Sequence, residues 1–205
     1  MKEDRYDDPA FFEKYSQMPR SQYGLEAAGE WETLRALLPD FAGRRVLDLG
    51  CGYGWHCVYA LERGAAAVTG VDISEKMLAV AREKTGSGNV RYIRAAMEDV
   101  EFPDAAFDVA LSSLALHYVA DFGGMVEKIY RWLAPGGAFV FSIEHTLSSC
   151  LNDHASWFVP TSIAYTYFAP FCSIQSVKPP VEEPTSMHTV SVREIGNTFI
   201  ACSNL

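Results

Sequence analysis

Basic residues, paired cysteines and long apolar stretches are all scarce in this chain of 205 residues. Lys and Arg number 17 against 26 Asp and Glu, which gives a formal charge of −9. Because phosphate binding usually leaves a basic footprint, nucleic acid is not expected as a partner. No apolar run approaches the ~18 residues that span a bilayer, so no membrane partner is expected either. The charged N-terminal stretch MKEDRYDDPAFFEKY lacks the apolar core of a signal peptide, which favours a cytoplasmic location.

The cysteines and histidines are too dispersed to indicate a metal site. The five cysteines include no Cys-x-x-Cys pair, and the five histidines are scattered along the chain. An odd number of cysteines without a secretion signal is typical of reduced thiols rather than of a disulfide framework. We therefore expect neither a metal nor disulfides.

The central part of the chain alternates strand patterns with helix patterns. Strands are predicted at 45–49, 67–72, 90–94, 109–113 and 138–143. Helices are predicted at 9–17, 26–38, 55–63, 75–84 and 122–133, with Ser74 as the N-cap of the fourth. Strands joined by helical crossovers predict a doubly wound, mostly parallel α/β sheet with helices on both faces.

After His145 the pattern weakens. Residues 146–205 carry few charges, and prolines interrupt any long element. Residues 189–193 and 198–202 form a possible hairpin around Gly196-Asn197.

The stretch VLDLGCGYGWH places a glycine-rich turn directly after the first of these strands. Gly50, Gly52 and Gly54 follow the strand, an arrangement in which a nucleotide usually lies against the backbone. A dinucleotide fingerprint needs a small residue where this chain has Trp55, so that fingerprint fails. Asp48 would repel a phosphate and would favour a ligand with a cationic end, as S-adenosylmethionine has. Asp72, at the end of the second strand, is where an acid commonly accepts the ribose hydroxyls.

Four segments carry a family resemblance: VLDLGCGYGWH, VTGVDISEKML, FDVALSSLALHYV and LAPGGAFVFSIEH. In this order, at βαβ spacing, they resemble the class I S-adenosylmethionine-dependent methyltransferases, which have a Rossmann-like fold. More narrowly, the chain is similar to the small-molecule branch (type 11) that includes ubiquinone and menaquinone C-methyltransferases. The resemblance covers about 23–145. It implies one methyltransferase domain over 1–205, with an N-terminal helical lid (1–40), a cofactor-binding core (41–145) and a divergent C-terminal segment (146–205).

The resemblance also implies the cofactor, S-adenosyl-L-methionine, and its binding residues. In this chain these are Asp48, Gly50, Cys51, Gly52, Gly54, Asp72, Ile73, Met97, Glu98 and Ser113. Asp48 would face the cofactor ammonium, Asp72 would hold the ribose and Ile73 would pack on the adenine. Because Ala96 stands where the family often has an acid, the Met97 backbone, Glu98 or Asp99 would recognise the adenine amine.

Other residues are candidates for the acceptor side. His117 would act as a base or orient the acceptor, although it could equally be a half-buried structural residue. Tyr23 and His145 would contact the substrate, and Arg20 would pair with the cofactor carboxylate. Tyr23 and Arg20 could alternatively be surface residues.

The predicted function is methyl transfer to a small-molecule acceptor by in-line displacement. The alternative is a non-catalytic S-adenosylmethionine-binding protein of the same fold, with a divergent or truncated acceptor region. A nicotinamide-dependent oxidoreductase is disfavoured by Trp55 and Asp48. The sequence makes no prediction of oligomeric state.

Overall fold

The computed structural model describes residues 5–86 and 88–143, and beyond them the backbone of Glu144 and of four further strands. Five parallel strands form the centre of its main sheet, in the order β3-β2-β1-β4-β5. They are β1 (Arg45–Leu49), β2 (Ala67–Asp72), β3 (Val90–Arg94), β4 (Phe107–Ser113) and β5 (Leu133–Glu144). The predicted parallel α/β sheet is therefore confirmed.

Two antiparallel strands extend the sheet beside β5. β6 (Ser162–Phe168) pairs with β5, and β7 (Gln175–Val177) pairs with β6. A separate antiparallel pair consists of β8 (Val190–Ile195) and β9 (Thr198–Ser203), which confirms the predicted hairpin partners.

Helices cover both faces of the parallel strands. The described residues form the α-helices α1 (Pro9–Ser16), α2 (Pro19–Tyr23), α3 (Trp31–Leu37), α4 (Trp55–Glu62), α5 (Glu75–Thr85) and α6 (Phe122–Trp132). Alternation along β1 sends Leu47 and Leu49 into one apolar cluster with Ile129 of α6. Val46 points the other way and packs with Cys57 of α4. The sheet is thus buried on both faces, as a parallel sheet requires.

The predicted helix at 26–38 is wrong in its first half. The chain forms a 3-10 turn over Leu25–Ala27, extends at Ala28 and starts α3 only at Trp31. Gly29 weakens a helix here. Glu30, at the N-cap of α3, has its side chain buried against other elements. The preceding helix, α2, begins with Pro19 in its first turn and was not predicted.

The junction of α6 and β5 also differs from the prediction. The strand begins at Leu133, which pairs with Phe107, and Ala138 pairs with Val109. Residues 134–137 therefore stand opposite Asp108 alone, as a bulge that contains Pro135 and two glycines. In the described part of the chain, no helix has the length and apolar character needed to cross a membrane.

Candidate functional site

A cavity of about 450 Å³ lies at the carboxyl ends of the parallel strands. The strand order reverses between β1 and β4, because the chain winds outward from β1 to β3 and then returns to β4. Ligands of open α/β sheets bind at such a switch point. The loops after β1, β2, β3 and β4 line one side of the cavity, and residues between Arg5 and Ala28 line the other.

In the glycine loop after β1, Gly52 differs from Gly50 and Gly54 in the space around its Cβ position. Gly50, Gly52 and Gly54 all have positive φ, at 73°, 50° and 73°. A Cβ on Gly50 would collide with Ala115, and one on Gly54 would lie 2.5 Å from the Tyr92 hydroxyl. A Cβ on Gly52 would have no atom of the described residues within 4 Å. Gly50 and Gly54 are thus needed for packing, whereas Gly52 leaves open space in the cavity wall.

Asp72 joins the ends of β1 and β2 through its carboxylate. Oδ2 accepts the Gly52 N–H at 2.8 Å, and Oδ1 accepts the Ser74 N–H at 2.9 Å. Ser74 in turn caps α5, with its Oγ accepting the Met77 N–H at 3.1 Å. Asp72 also lines the cavity, and each oxygen of a carboxylate can accept more than one hydrogen bond.

Asp48 lies beneath the glycine loop rather than on the cavity wall. It is 1% exposed, and the Cys57 thiol donates to its Oδ2 at 3.4 Å. Its Oδ1 is buried without a hydrogen-bond partner among the described residues. Burial raises the pKa of the Asp48 carboxyl from 3.8 to about 7. This buried acid is therefore poised to gain from a cationic group placed above it.

Asp7 attaches the N-terminal segment to the start of α5, beside the cavity. Its carboxylate accepts hydrogen bonds from Ser74 Oγ at 2.5 Å and from the Lys76 N–H at 3.0 Å, at the start of α5. It also pairs with Arg94 at 3.3 Å. An acid at a helix N-terminus interacts favourably with the helix dipole. This attachment places the neighbouring Tyr6 in the cavity wall.

Tyrosines form much of the N-terminal wall. Tyr6 packs edge-on against Tyr15, whose ring contacts Tyr53 in the same way. The hydroxyls of Tyr6 and Tyr118 lie 3.3 Å apart. Burial raises the pKa values of Tyr6 and Tyr15, so both hydroxyls remain protonated at neutral pH. The wall is aromatic and carries neutral hydroxyl donors.

A chain of polar side chains runs from α2 to β5, and two of its members, Arg20 and Ser113, line the cavity. Arg20 Nη2 donates to Glu30 Oε1 at 3.0 Å, and Ser113 Oγ donates to the same oxygen at 3.0 Å. Ser142 Oγ and Ser113 Oγ are 3.2 Å apart.

Burial and the positive charge of Arg20 lower the pKa of His56 to about 3, so His56 is neutral.

His117 follows β4 in a 3-10 turn over Leu116–Tyr118 and lines the cavity. Its ring lies against Tyr118, with the ring centroids 4.2 Å apart and the planes tilted by 46°. It therefore occupies the side of the cavity where the two tyrosine hydroxyls meet.

The cavity brings together most of the predicted site residues. Those that line it are Gly50, Cys51, Gly52, Asp72, Ile73, Met97, Glu98, Ser113 and His117, together with Arg20. Asp48 and Gly54 are not among its lining residues, and neither is Tyr23, which is 73% exposed. His145 lies outside the described residues.

Sequence reasoning missed several residues of the wall. Tyr6 and Tyr15 reach the cavity through the attachment of Asp7 to α5, for which the sequence has no local signal. Trp55 and His56 also line it. Their position directly after the glycine turn was a usable signal, because it is where a helix N-terminus meets a ligand.

Comparison with known proteins shows what the core of this chain is similar to. Residues 47–141 match the family described as a methyltransferase domain. A solved S-adenosylmethionine-dependent methyltransferase from Mesorhizobium loti is 49% identical, with a TM-score of 0.59 over 60% of this chain and 57% of that one. Over residues 47–141 the chain is thus similar to S-adenosylmethionine-dependent methyltransferases.

Two of the curated relatives are named as transferases of this kind, and the first is described as uncharacterized. A Haemophilus influenzae protein described as uncharacterized is 39% identical over 158 residues, which are 74% of this chain and 62% of that protein. The malonyl-[acyl-carrier protein] O-methyltransferase of Serratia marcescens is 34% identical over 127 residues, which are 57% of this chain and 49% of that enzyme. A tRNA U34 carboxymethyltransferase is also among the relatives. The chain thus spans about half to three fifths of the length of these first two relatives.

These relatives do not single out the quinone C-methyltransferase branch, and that narrower resemblance stays a prediction. The cofactor of the family is S-adenosylmethionine, and the cavity fits it on three observations. Gly52 leaves room at the loop, Asp72 presents a carboxylate at the end of β2, and Asp48 keeps a buried oxygen without a partner among the described residues.

Proposed function

We propose that this protein transfers a methyl group from S-adenosylmethionine to a small-molecule acceptor. The observation that carries the proposal is the pairing of Asp72 with the open Gly52 at the switch point of the sheet. A carboxylate at the end of the second strand suits the two ribose hydroxyls, and an open glycine lets the backbone approach a ligand.

Individual residues receive roles from their positions. Asp72 would accept hydrogen bonds from the ribose, while Ile73 and Met97 would supply the apolar walls for the adenine. Glu98 lines the cavity beside Met97 and would accept from the adenine amine. Asp48, whose charge costs free energy in the unliganded protein, would be stabilised as an anion beneath the ammonium.

The cofactor supplies a methyl group that its sulfonium already activates. The protein therefore has to align the acceptor and exclude water, a contribution of proximity and orientation. The aromatic N-terminal wall and the loops after the strands enclose the cavity for this purpose. His117 would remove a proton from the acceptor or orient it, since it lines the same cavity beside Tyr118.

Two properties support a small acceptor over a macromolecule. The formal charge of −9 disfavours a polyanion such as tRNA. The cavity is lined on its N-terminal side by Tyr6, Phe11 and Tyr15, which would exclude a folded macromolecule and suit a small aromatic or lipophilic compound.

The first test is calorimetric titration with S-adenosylhomocysteine. Micromolar binding by the wild type, lost in Asp72→Ala, would support the cofactor site. A folded wild-type protein that does not bind would contradict the proposal.

The second test concerns the acceptor. The protein is incubated with methyl-labelled S-adenosylmethionine and, separately, with a small-molecule metabolite fraction, malonyl-acyl carrier protein and total tRNA. Label in the small-molecule fraction alone would support the proposal. Label in tRNA or the carrier protein would contradict the acceptor class, and binding without transfer to any of the three would favour the non-catalytic alternative.

A further inference from the structure

Glu30 is a buried acid that the proposed chemistry does not use. It is 7% exposed and follows Gly29 at the N-cap of α3, where its side chain makes no capping hydrogen bond. A buried carboxylate is costly unless charged or polar partners satisfy it. Its partners are Arg20, from α2, and Ser113, from the end of β4, and both donate to the same oxygen at 3.0 Å.

Arg20 is held by this acid at one particular end of the cavity. Arg20 lines the cavity, and its charge is close enough to His56, at the start of α4, to lower the pKa of that imidazole. Glu30 takes a hydrogen bond from Nη2, while a guanidinium has five N–H donors in a planar fork. Donors thus remain for a ligand that lies between Arg20 and the start of α4.

A carboxylate is the group that suits this place. Guanidinium forks bind carboxylates bidentately, and the N-terminus of a helix favours an anion. The glycine loop directly precedes α4, and in the proposed function this loop receives the methionine portion of the cofactor. The carboxylate of that portion would therefore reach Arg20.

We infer that Glu30 is a positioning residue whose buried carboxylate holds the Arg20 guanidinium against the carboxylate of the cofactor. This inference rests on the proposed function and deepens it. It links the N-terminal segment to the ends of β4 and β5, because Ser113 and Ser142 complete the same polar chain. Recognition of the amino-acid end of the cofactor would then depend on α2 and the end of β4 meeting at one oxygen of Glu30.

The charge of Glu30 makes the inference sharply testable. If Glu30 acted only through its negative charge, it would repel the cofactor carboxylate, and removing the charge would tighten binding. If Glu30 acts by positioning Arg20, removing it weakens binding. The two roles predict changes of opposite sign.

The experiment compares S-adenosylhomocysteine with 5′-methylthioadenosine, which retains the adenosine and lacks the amino-acid end. Calorimetric Kd values are measured for the wild type, Arg20→Gln, Glu30→Gln, Glu30→Ala and the double variant Arg20→Gln/Glu30→Gln. We expect Arg20→Gln to weaken S-adenosylhomocysteine roughly tenfold or more. Glu30→Ala should weaken it by a similar factor and Glu30→Gln by less, because glutamine keeps an acceptor oxygen. All four variants should bind 5′-methylthioadenosine within about twofold of the wild type.

The double variant tests whether Glu30 acts through Arg20. The ratio of its Kd for S-adenosylhomocysteine to its Kd for 5′-methylthioadenosine should be no larger than the same ratio for Arg20→Gln alone. The matched control is Arg35→Gln, which removes the Arg35–Glu26 pair, an exposed pair at 3.7 Å outside the cavity. The Kd of this control should equal that of the wild type for both ligands.

Three results would overturn the inference: tighter S-adenosylhomocysteine binding by Glu30→Gln, an equal loss of both ligands, or additive losses in the double variant. A fall in melting temperature with the ratio of the two Kd values unchanged would also overturn it, since Glu30 would then be structural only. The proposed function would survive each of these. A folded wild-type protein that binds neither ligand would instead contradict the proposed function itself.

Discussion

The carboxylate of Asp72 accepts a hydrogen bond from the Gly52 N–H at 2.8 Å, although the two residues are 20 positions apart in the chain. The contact fixes the glycine loop after β1 to the end of β2, and both residues line the cavity. Because the other oxygen of Asp72 accepts the Ser74 N–H, the carboxylate also sets the start of α5. One side chain therefore orders the loop after β1 and the start of α5 at the edge of the cavity.

Asp72→Ala should bind S-adenosylhomocysteine on the order of 100-fold more weakly than the wild type, because two hydrogen bonds to an ionised acceptor are lost. Calorimetry measures the change. Asp104→Ala is the matched control, since Asp104 is exposed and does not line the cavity. A Kd for Asp72→Ala within threefold of the wild type would contradict a ribose-binding role.

Gly52→Ala should lose both stability and cofactor affinity. A side chain at φ +50° costs about 1 kcal/mol, and its Cβ would enter the open space of the cavity. Gly43→Ala is the control, because Gly43 has φ +70° and also has open space around its Cβ, but lies outside the cavity. Denaturant unfolding should show a similar loss for both variants, whereas only Gly52→Ala should weaken S-adenosylhomocysteine. Equal affinities in the two variants would mean that Gly52 does not face the cofactor.

Asp48 should give the unliganded protein a pH-dependent stability. Its folded pKa of about 7 is above the ordinary value of 3.8, so folding favours the protonated form. The contribution is fully present below pH 3.8 and is lost as the pH rises through 7, with an upper limit of about 4 kcal/mol. The difference in unfolding free energy between wild type and Asp48→Asn should therefore shift in favour of the variant across this range. A difference that stays constant from pH 4 to pH 8 would contradict a raised pKa.

His117→Ala should lower turnover by a factor of about 10² to 10⁴ if His117 moves a proton of the acceptor. Its affinity for S-adenosylhomocysteine should stay close to that of the wild type, because the role concerns the acceptor. Tyr130→Ala is a control, since Tyr130 is 44% exposed and does not line the cavity. Unchanged turnover at saturating substrates would end the hypothesis.

The parallel core was predictable because its signals are local. β1, β2 and β3 begin and end at the predicted residues. β1 and β2 were recognisable because parallel strands of a sheet interior appear as short, mostly apolar runs bounded by turn residues. The position of Asp48 was also predictable in principle. Alternation along β1 puts Leu47 and Leu49 on one face and Asp48 on the other with Val46, which is the face that α4 covers.

The N-terminal wall was not predictable, because long-range contacts build it. Asp7 meets Ser74 across 67 positions, and Glu30 meets Ser113 across 83. Neither pair belongs to a periodic pattern. The helical spacing of Trp31, Leu34 and Leu37 predicts a helix but does not show where it begins. α3 begins later than predicted because Gly29 weakens the helix and Glu30 makes tertiary hydrogen bonds instead of a cap.

The attachment of the N-terminal segment gives the last prediction. Asp7→Ala removes the hydrogen bonds to Ser74 and Lys76 and the ion pair with Arg94, which should cost about 1 kcal/mol of stability. Limited proteolysis should then cut between residues 5 and 23 faster, and bound S-adenosylhomocysteine should protect this stretch less than in the wild type. Asp8→Ala is a close control, because Asp8 caps α1 by accepting the Phe11 N–H and makes no hydrogen bond or ion pair with α5 among the described residues. If both variants were cut at the same rate, the capping of α1, and not the attachment to α5, would govern how the segment is held over the cavity.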